Sequence, residues 1–165
     1  MLEMSRPLNT AIWGDPVVGE DMTPEDKYFY LYLLTSPATS EIGIYPLTKK
    51  RIAFELGYPL EKIETLVERF IHRFDLIRYN EETREIAIKN WGTHNFQHTE
   101  NIPINRVKLE LSRVKDLSLI PFVAEGIEHK TMQTLFLKKF HERAEENHSE
   151  TKAADKNRWR PEIST

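Results

Sequence analysis

The stretch IGIYPLTKKRIAFELGYPLEKIETLVERFIHRFDLIRYNEETREIAIKNW, from Ile42 to Trp91, decides the reading of the fold. GIYPL is short and rich in residues that suit a pleated surface, with Pro46 capping the strand or lying on its open edge. Thr48 offers an N-cap to KKRIAFEL, whose Ile52, Ala53 and Leu56 share one inward face, and Gly57 fits the left-handed residue that ends such a helix. Tyr58 and Pro59 make a turn. The next helix runs to about Phe74, because Ile63, Leu66, Val67, Phe70, Ile71 and Phe74 recur at three- and four-residue spacing. LIRY and REIAIKNW then alternate as two strands joined through NEET. Strand, helix, turn, helix and hairpin in this order make a winged helix-turn-helix, a module most often used to lay one helix in a DNA groove.

Working outward, the segment TPEDKYFYLYLLT begins a helix with Thr23 as N-cap, Pro24 in the first turn, and Glu25 and Asp26 near the positive end of its dipole. Its body is apolar or aromatic nearly all the way round, so something must cover a second side. The C-terminal helices or a partner chain would do so, and Tyr28, Tyr30 and Leu31 are the candidate interface residues. Ahead of this helix, residues 1–22 are loop-like, broken by Pro7, Gly14, Pro16 and Gly19. Trp13 in this arm either anchors it on the core or docks on a neighbouring subunit. After Trp91 comes a polar connector, GTHNFQHTEN. Pro103 then opens a helix with Ile104, Val107, Leu111 and Val114 at heptad-like spacing. A further amphipathic helix over about Lys130 to Glu146 turns Met132, Leu135, Phe136 and Phe140 to one side. The remainder, His148 to Thr165, is polar and reads as disordered, with Trp159 unusual in such a tail. The expected organisation is a mainly α chain with a small β-hairpin: an N-terminal arm plus winged-helix domain over 1–98, a helical extension over 99–147, and a tail over 148–165.

With 165 residues, 39% hydrophobic and 30% charged, the chain has the composition of one ordinary globular domain with an appendage. No apolar run approaches the ~20 residues of a membrane span, and the N-terminus lacks the layout of a signal peptide, so a cytoplasmic protein without membrane partners is expected. The absence of cysteine excludes disulfides, thiol catalysis and Cys-based zinc sites. His94 and His98 stand four apart, the spacing of two ligands on a helix, but no third ligand accompanies them, and no metal is expected. The glycines are isolated, which rules out a phosphate-binding loop or a dinucleotide fingerprint, and no G-x-S-x-G or H-E-x-x-H motif occurs. The sequence predicts neither an enzyme nor a cofactor.

The net charge of −3 argues against bulk electrostatic coating of nucleic acid. The acidity is concentrated ahead of Leu47, where Glu3, Asp15, Glu20, Asp21, Glu25, Asp26 and Glu41 face only Arg6 and Lys27. Lys49, Lys50 and Arg51 crowd the first turn of a helix, where each opposes the dipole by up to roughly 1 kcal/mol and so hints at an anion. The outer face of the following helix carries Glu61, Thr65, Glu68 and His72, flanked by Lys62 and Arg69. The hairpin adds Arg78, Arg84 and Lys89, which either reach phosphates or pair with neighbouring glutamates. Because two central glutamates repel phosphate, DNA contact through these residues is expected to be mostly to the backbone, with Thr65 the neutral residue on the reading face.

The first 117 or so residues resemble the N-terminal winged-helix domain of phage replisome organisers, replication-initiation proteins related to the primosomal protein DnaD. The resemblance rests on Trp13 in the arm, the TPEDKYFYLYLLT helix followed by Pro37, the strand at Gly43 to Tyr45, RIAFELGY, and the IKNW that closes the wing. NIPINRVKLELSRVKDL is similar to the helix that follows the wing in that family. The resemblance implies a protein that binds an origin or single-stranded DNA, self-associates, and helps recruit a replicative helicase or its loader. Longer members carry a further helical domain of the DnaD type. A partner-binding scaffold that does not read DNA, and a transcriptional regulator, are the alternatives.

Overall fold

The structure is a computed structural model that describes residues 5–97 and 102–158. It is mainly helical with one three-stranded antiparallel sheet. Helix α1 spans Pro24–Thr35, and Thr23 and Asp26 close a reciprocal capping box at its start. Strand β1, Ile44–Pro46, leads into α2, Lys49–Leu56, which Thr48 caps and Gly57 ends at φ 73°. Helix α3, Leu60–His72, buries Ile63, Leu66, Val67 and Phe70. Strands β2, Ile77–Tyr79, and β3, Glu85–Ile88, complete the sheet in the order β1-β3-β2, with Tyr45 and Tyr79 both opposite Ile86. The open edge at β1 is blunted. Pro46 has no N–H, and Ser40 Oγ donates to Ile44 O at 2.8 Å.

Beyond the sheet come α4, Trp91–Asn95, α5, Ile104–Arg113, α6, Leu119–Glu125, and α7, Lys130–Arg158. Sequence periodicity misses α4 and α6. The second is short and buries Leu119, Ile120, Val123 and Ala124, and its Pro121 sits in the first turn, where a missing N–H costs no hydrogen bond. Helix α6 lies over β1 and β3, and α7 packs on α5 and α6, so one core runs from Ile12 to Phe136. Buried Glu85 fastens the two parts: its carboxylate accepts the N–H groups of Lys115 and Asp116, each at 2.9 Å. Asp116 in turn accepts from Asn80 Nδ2 at 2.8 Å.

Two expectations about the ends of the chain change. The polar tail expected from His148 is helical as far as Arg158, because its Ala, Glu and Lys residues favour helix even where no face is buried. Trp159 lies outside the described residues. Helix α1 is buried within the chain itself: Phe29, Tyr30, Leu33 and Leu34 lie in the same core as Ile12, Val18 and Met22 of the leading arm. Tyr30 is only 2% exposed, 5.8 Å from the Phe70 ring. Burial, with the Asp15 carboxylate of the arm nearby, pushes its hydroxyl up to about 12. Tyr30 is therefore a core residue and not a contact for another chain. Leu31 is half-buried against the same core. Tyr28 remains exposed, and Trp13, 60% exposed, does not anchor the arm; Ile12 does.

At the centre Trp91, fully buried, lies across Gly43 and donates from Nε1 to Glu41 O at 2.8 Å. A Cβ on Gly43 would stand 2.3 Å from Trp91 Cγ, and the residue adopts φ 72°. Overpacking and left-handed strain together predict that Gly43→Ala destabilises the fold by about 3 kcal/mol. Urea unfolding of the full chain would measure it.

Candidate nucleic-acid interface

The capping threonine and the left-handed glycine fix α2, and α3 packs against it and against β2, so the turn at Tyr58 and Pro59 holds the two helices as a unit. Onto this unit and the hairpin the sequence places nine residues as DNA contacts, six on the helices and three on the hairpin. The structure gives most of the cations internal partners. Lys49 pairs with Glu81 and lies 5.1 Å from the Tyr79 ring centroid. Arg51 pairs with Glu55 at 2.8 Å, one turn on, and Glu55 also takes the Tyr32 hydroxyl; those two donors hold the Glu55 carboxyl below its ordinary value. Lys62 pairs with Glu25 of α1. Arg69 reaches the buried carboxylate of Asp26 at 2.6 Å, so it ties α3 to the capping box of α1.

On the hairpin, Arg78 and Lys89 do not pair across strands with Glu81, Glu82 or Glu85. Both converge on Asp75, at 2.7 and 2.6 Å, and lie over the ring of Phe122. Lys89 first and Arg78 second hold the Asp75 carboxyl below its usual range. Asp75 sits at φ 53°, a backbone region that aspartate tolerates better than most residues. Thr65 is exposed, and its hydroxyl donates back to Glu61 O at 3.0 Å, which turns it toward its own helix. Around it, the carboxylates of Glu61 and Glu64 meet no cation among the described residues, while Glu68 meets His72 at 3.0 Å. The outward face of α3 is therefore acidic.

Lys50 and Arg84 are the two predicted contacts that keep an exposed charge without a carboxylate partner among the described residues. The N–H of Leu47 donates to Arg84 O at 2.9 Å, which sets the base of the hairpin against the start of α2. Arg84 holds φ 56°. Next to its neighbour Thr83 opens a cleft of about 350 Å³ of mixed charge, where Arg113 and Lys115 stand with the carboxylates of Glu85 and Glu110. The Thr83 hydroxyl there is buried without a hydrogen-bond partner among the described residues. Sequence reasoning does not find Arg113 and Lys115, because they belong to a helix and turn far along the chain that Glu85 brings to the hairpin.

No group of three or more potential metal ligands occurs among the described residues. His98 lies outside them. His94, on α4, has a buried Nδ1 without a partner among the described residues, and burial lowers its pKa against the opposing influence of Asp15. Among the described residues no helix is long and apolar enough to cross a membrane. No family model, curated protein or solved structure matches the chain.

Two predictions separate structural from surface charges. Arg69→Leu strands the Asp26 carboxylate and should cost about 3 kcal/mol in chemical denaturation. Lys50→Ala should change stability by less than about 0.5 kcal/mol. For His94 the folded pKa lies below the unfolded one, so protonation favours the unfolded chain. Its contribution is intact above the unfolded value of about 6.5 and is lost as pH falls from there toward the folded value. The thermal midpoint should decline on acidification through this window, and His94→Gln should flatten that decline.

Proposed function

We propose that the chain is a winged-helix protein of the phage replisome-organiser kind, which starts DNA replication by binding DNA and assembling with itself. The observation that carries the DNA-binding part is the pair of exposed cations without a carboxylate partner among the described residues, Lys50 and Arg84, where the Leu47 N–H to Arg84 O hydrogen bond ties the start of α2 to the hairpin. Cations that face water without an internal carboxylate are the ones that release counterions when they meet phosphate. The Thr83 hydroxyl, next to Arg84 in the chain and without a partner among the described residues, suits a phosphate oxygen, the group that takes most of the hydrogen bonds that proteins make to DNA. DNA then lies along the hairpin side, duplex or single-stranded, and α3 does not read bases. The replication role, and a helicase or its loader as partner, rest on the sequence resemblance.

One observation favours a second reading, a partner-binding scaffold without DNA contact. The acidic outward face of α3 repels phosphate, and six of the eight cations expected to contact DNA are already neutralised by carboxylates of the chain. A salt titration of binding to single- and double-stranded DNA decides between the two. The proposed function expects affinity to fall with salt with a slope of roughly 0.9 per phosphate contacted on duplex. Lys50→Ala with Arg84→Ala should reduce both slope and affinity, and Lys62→Ala should leave them nearly unchanged. Absence of binding at low salt, or binding indifferent to salt and to the double variant, decides for the scaffold.

A further inference from the structure

Phe54 of α2 is the most exposed large apolar side chain among the described residues, at 87%. Ile52 and Leu56, two residues before and after it, are buried in the core, which turns Phe54 outward. It gains no packing there. Phenylalanine also favours a helix less than lysine, glutamate or alanine does, so helix propensity does not account for it either.

Its neighbours on the outward side are set by the helix. Residues three and four apart adjoin one another, so Lys50 and Arg51 lie one turn before Phe54 and Gly57 follows it. Arg51 is taken up by Glu55 at 2.8 Å. Lys50 is exposed and meets no carboxylate among the described residues. Gly57 offers no side chain, and a Cβ there would meet no other part of the fold within 4 Å. Helical side chains lean toward the N-terminus, which carries the Phe54 ring to the Lys50 side of its turn. One face of α2 thus presents an uncovered aromatic ring and an uncompensated ammonium together.

We propose that Phe54 stacks on an unpaired base of a strand whose phosphate meets Lys50, so that this surface takes single-stranded DNA in preference to duplex. This deepens the DNA-binding part of the proposed function and rests on it. An unpaired nucleotide carries both complements, a flat base for the ring and a phosphate for the ammonium. A purely apolar partner would leave the lysine unmatched. In duplex DNA the bases already stack on one another, and offering a base face to Phe54 would first cost the energy of unstacking it. Every base has such a face, so the selection is for the state of the strand and not for its sequence. Helix α3 contributes nothing to it: the carboxylates of Glu61 and Glu64, without cations among the described residues, repel a phosphate chain.

The test is fluorescence anisotropy of the full chain with oligothymidylate of about 16 nucleotides, the upper end of the site size of one small single-strand binding module. A duplex of the same length, and a strand of the same length built from abasic residues, serve as comparisons. The wild type should bind oligothymidylate more tightly than either. Phe54→Ala should weaken that binding at least about fivefold and change binding to the duplex and the abasic strand by less than about twofold. Phe54→Trp should retain the affinity, and Phe54→Leu, apolar but without a ring, should lose it. Phe54→Ala should leave the salt slope on the single strand unchanged, and Lys50→Ala should lower it by roughly 0.7, the share of one phosphate. Circular dichroism and thermal melting of every variant exclude misfolding. Phe54→Ala that binds as the wild type does, or loses single strand and duplex alike, overturns the proposal and leaves the DNA-binding reading standing. So does Phe54→Leu that matches Phe54→Trp, the mark of an apolar contact without stacking. Tighter binding of oligouridylate than of oligothymidylate moves the site from DNA to RNA and overturns it as well. Absence of binding to every strand at low salt overturns both readings together, so the two failures are told apart.

Discussion

The contact between the Trp91 indole and the bare Cα of Gly43 is the constraint on which the rest of the structure depends. It is possible only because one residue before β1 has no side chain and accepts a left-handed backbone. The indole then reaches the carbonyl of Glu41, whose carboxylate pairs with Arg6 at 3.1 Å, and the Arg6 guanidinium lies 5.6 Å above the same ring. The leading arm, the loop ahead of β1 and the end of β3 therefore meet at one aromatic side chain. The start of α4 and the end of α6 close in beside it. Gly126 admits Lys89 O where a Cβ would stand 2.0 Å away, and Gly92 lies against Ile127. The sheet and the C-terminal helices are thereby joined without a covalent link.

A second theme is internal neutralisation. Apart from the unpartnered few, the cations that a sequence reader assigns to DNA hold the fold together. Asp26 shows how one carboxylate serves two elements: it accepts the Thr23 N–H and hydroxyl at 2.9 Å each to begin α1, and it receives Arg69 from α3. Asp75 does the same between β2 and β3. A positively charged residue on a pair of helices joined by a turn is therefore weak evidence of DNA contact until its partners are known. Those partners stand at separations that sequence spacing does not reveal, such as the 43 residues between Asp26 and Arg69.

This explains which features could be read in advance. Caps and turns are local, so Thr23, Thr48 and Gly57 declared themselves, and the periodic apolar face of α3 was legible from Ile63 to Phe70. The short strands followed from their alternation and their turn. Helix α6 was not legible, because a short segment buried nearly throughout has no polar face to give it a period. The burial of Ile12 and Val18 was not legible either, since nothing in a glycine- and proline-broken arm indicates where these side chains will land. Of the candidate interface, Lys50 and Arg84 were found by residue type alone. Arg113 and Lys115 needed the bridge through Glu85, a glutamate that on paper resembles its exposed neighbours in the hairpin.

Helix α7 is one helix in geometry but two in energetics. Its first half is fastened by Met132 and Phe136 in the core, and by Arg143, which donates to Leu111 O at 2.9 Å and to Val114 O at 2.6 Å and so satisfies carbonyls at the end of α5. From Glu145 onward every described side chain faces water. That portion, roughly 20 Å long to Arg158, is held by backbone hydrogen bonds and helix propensity alone. Its amides exchange with solvent through local fraying, while those around Phe136 wait for the whole domain to open. The helix is thus a rigid stem that passes into a segment whose order is set by temperature, salt and whatever binds it.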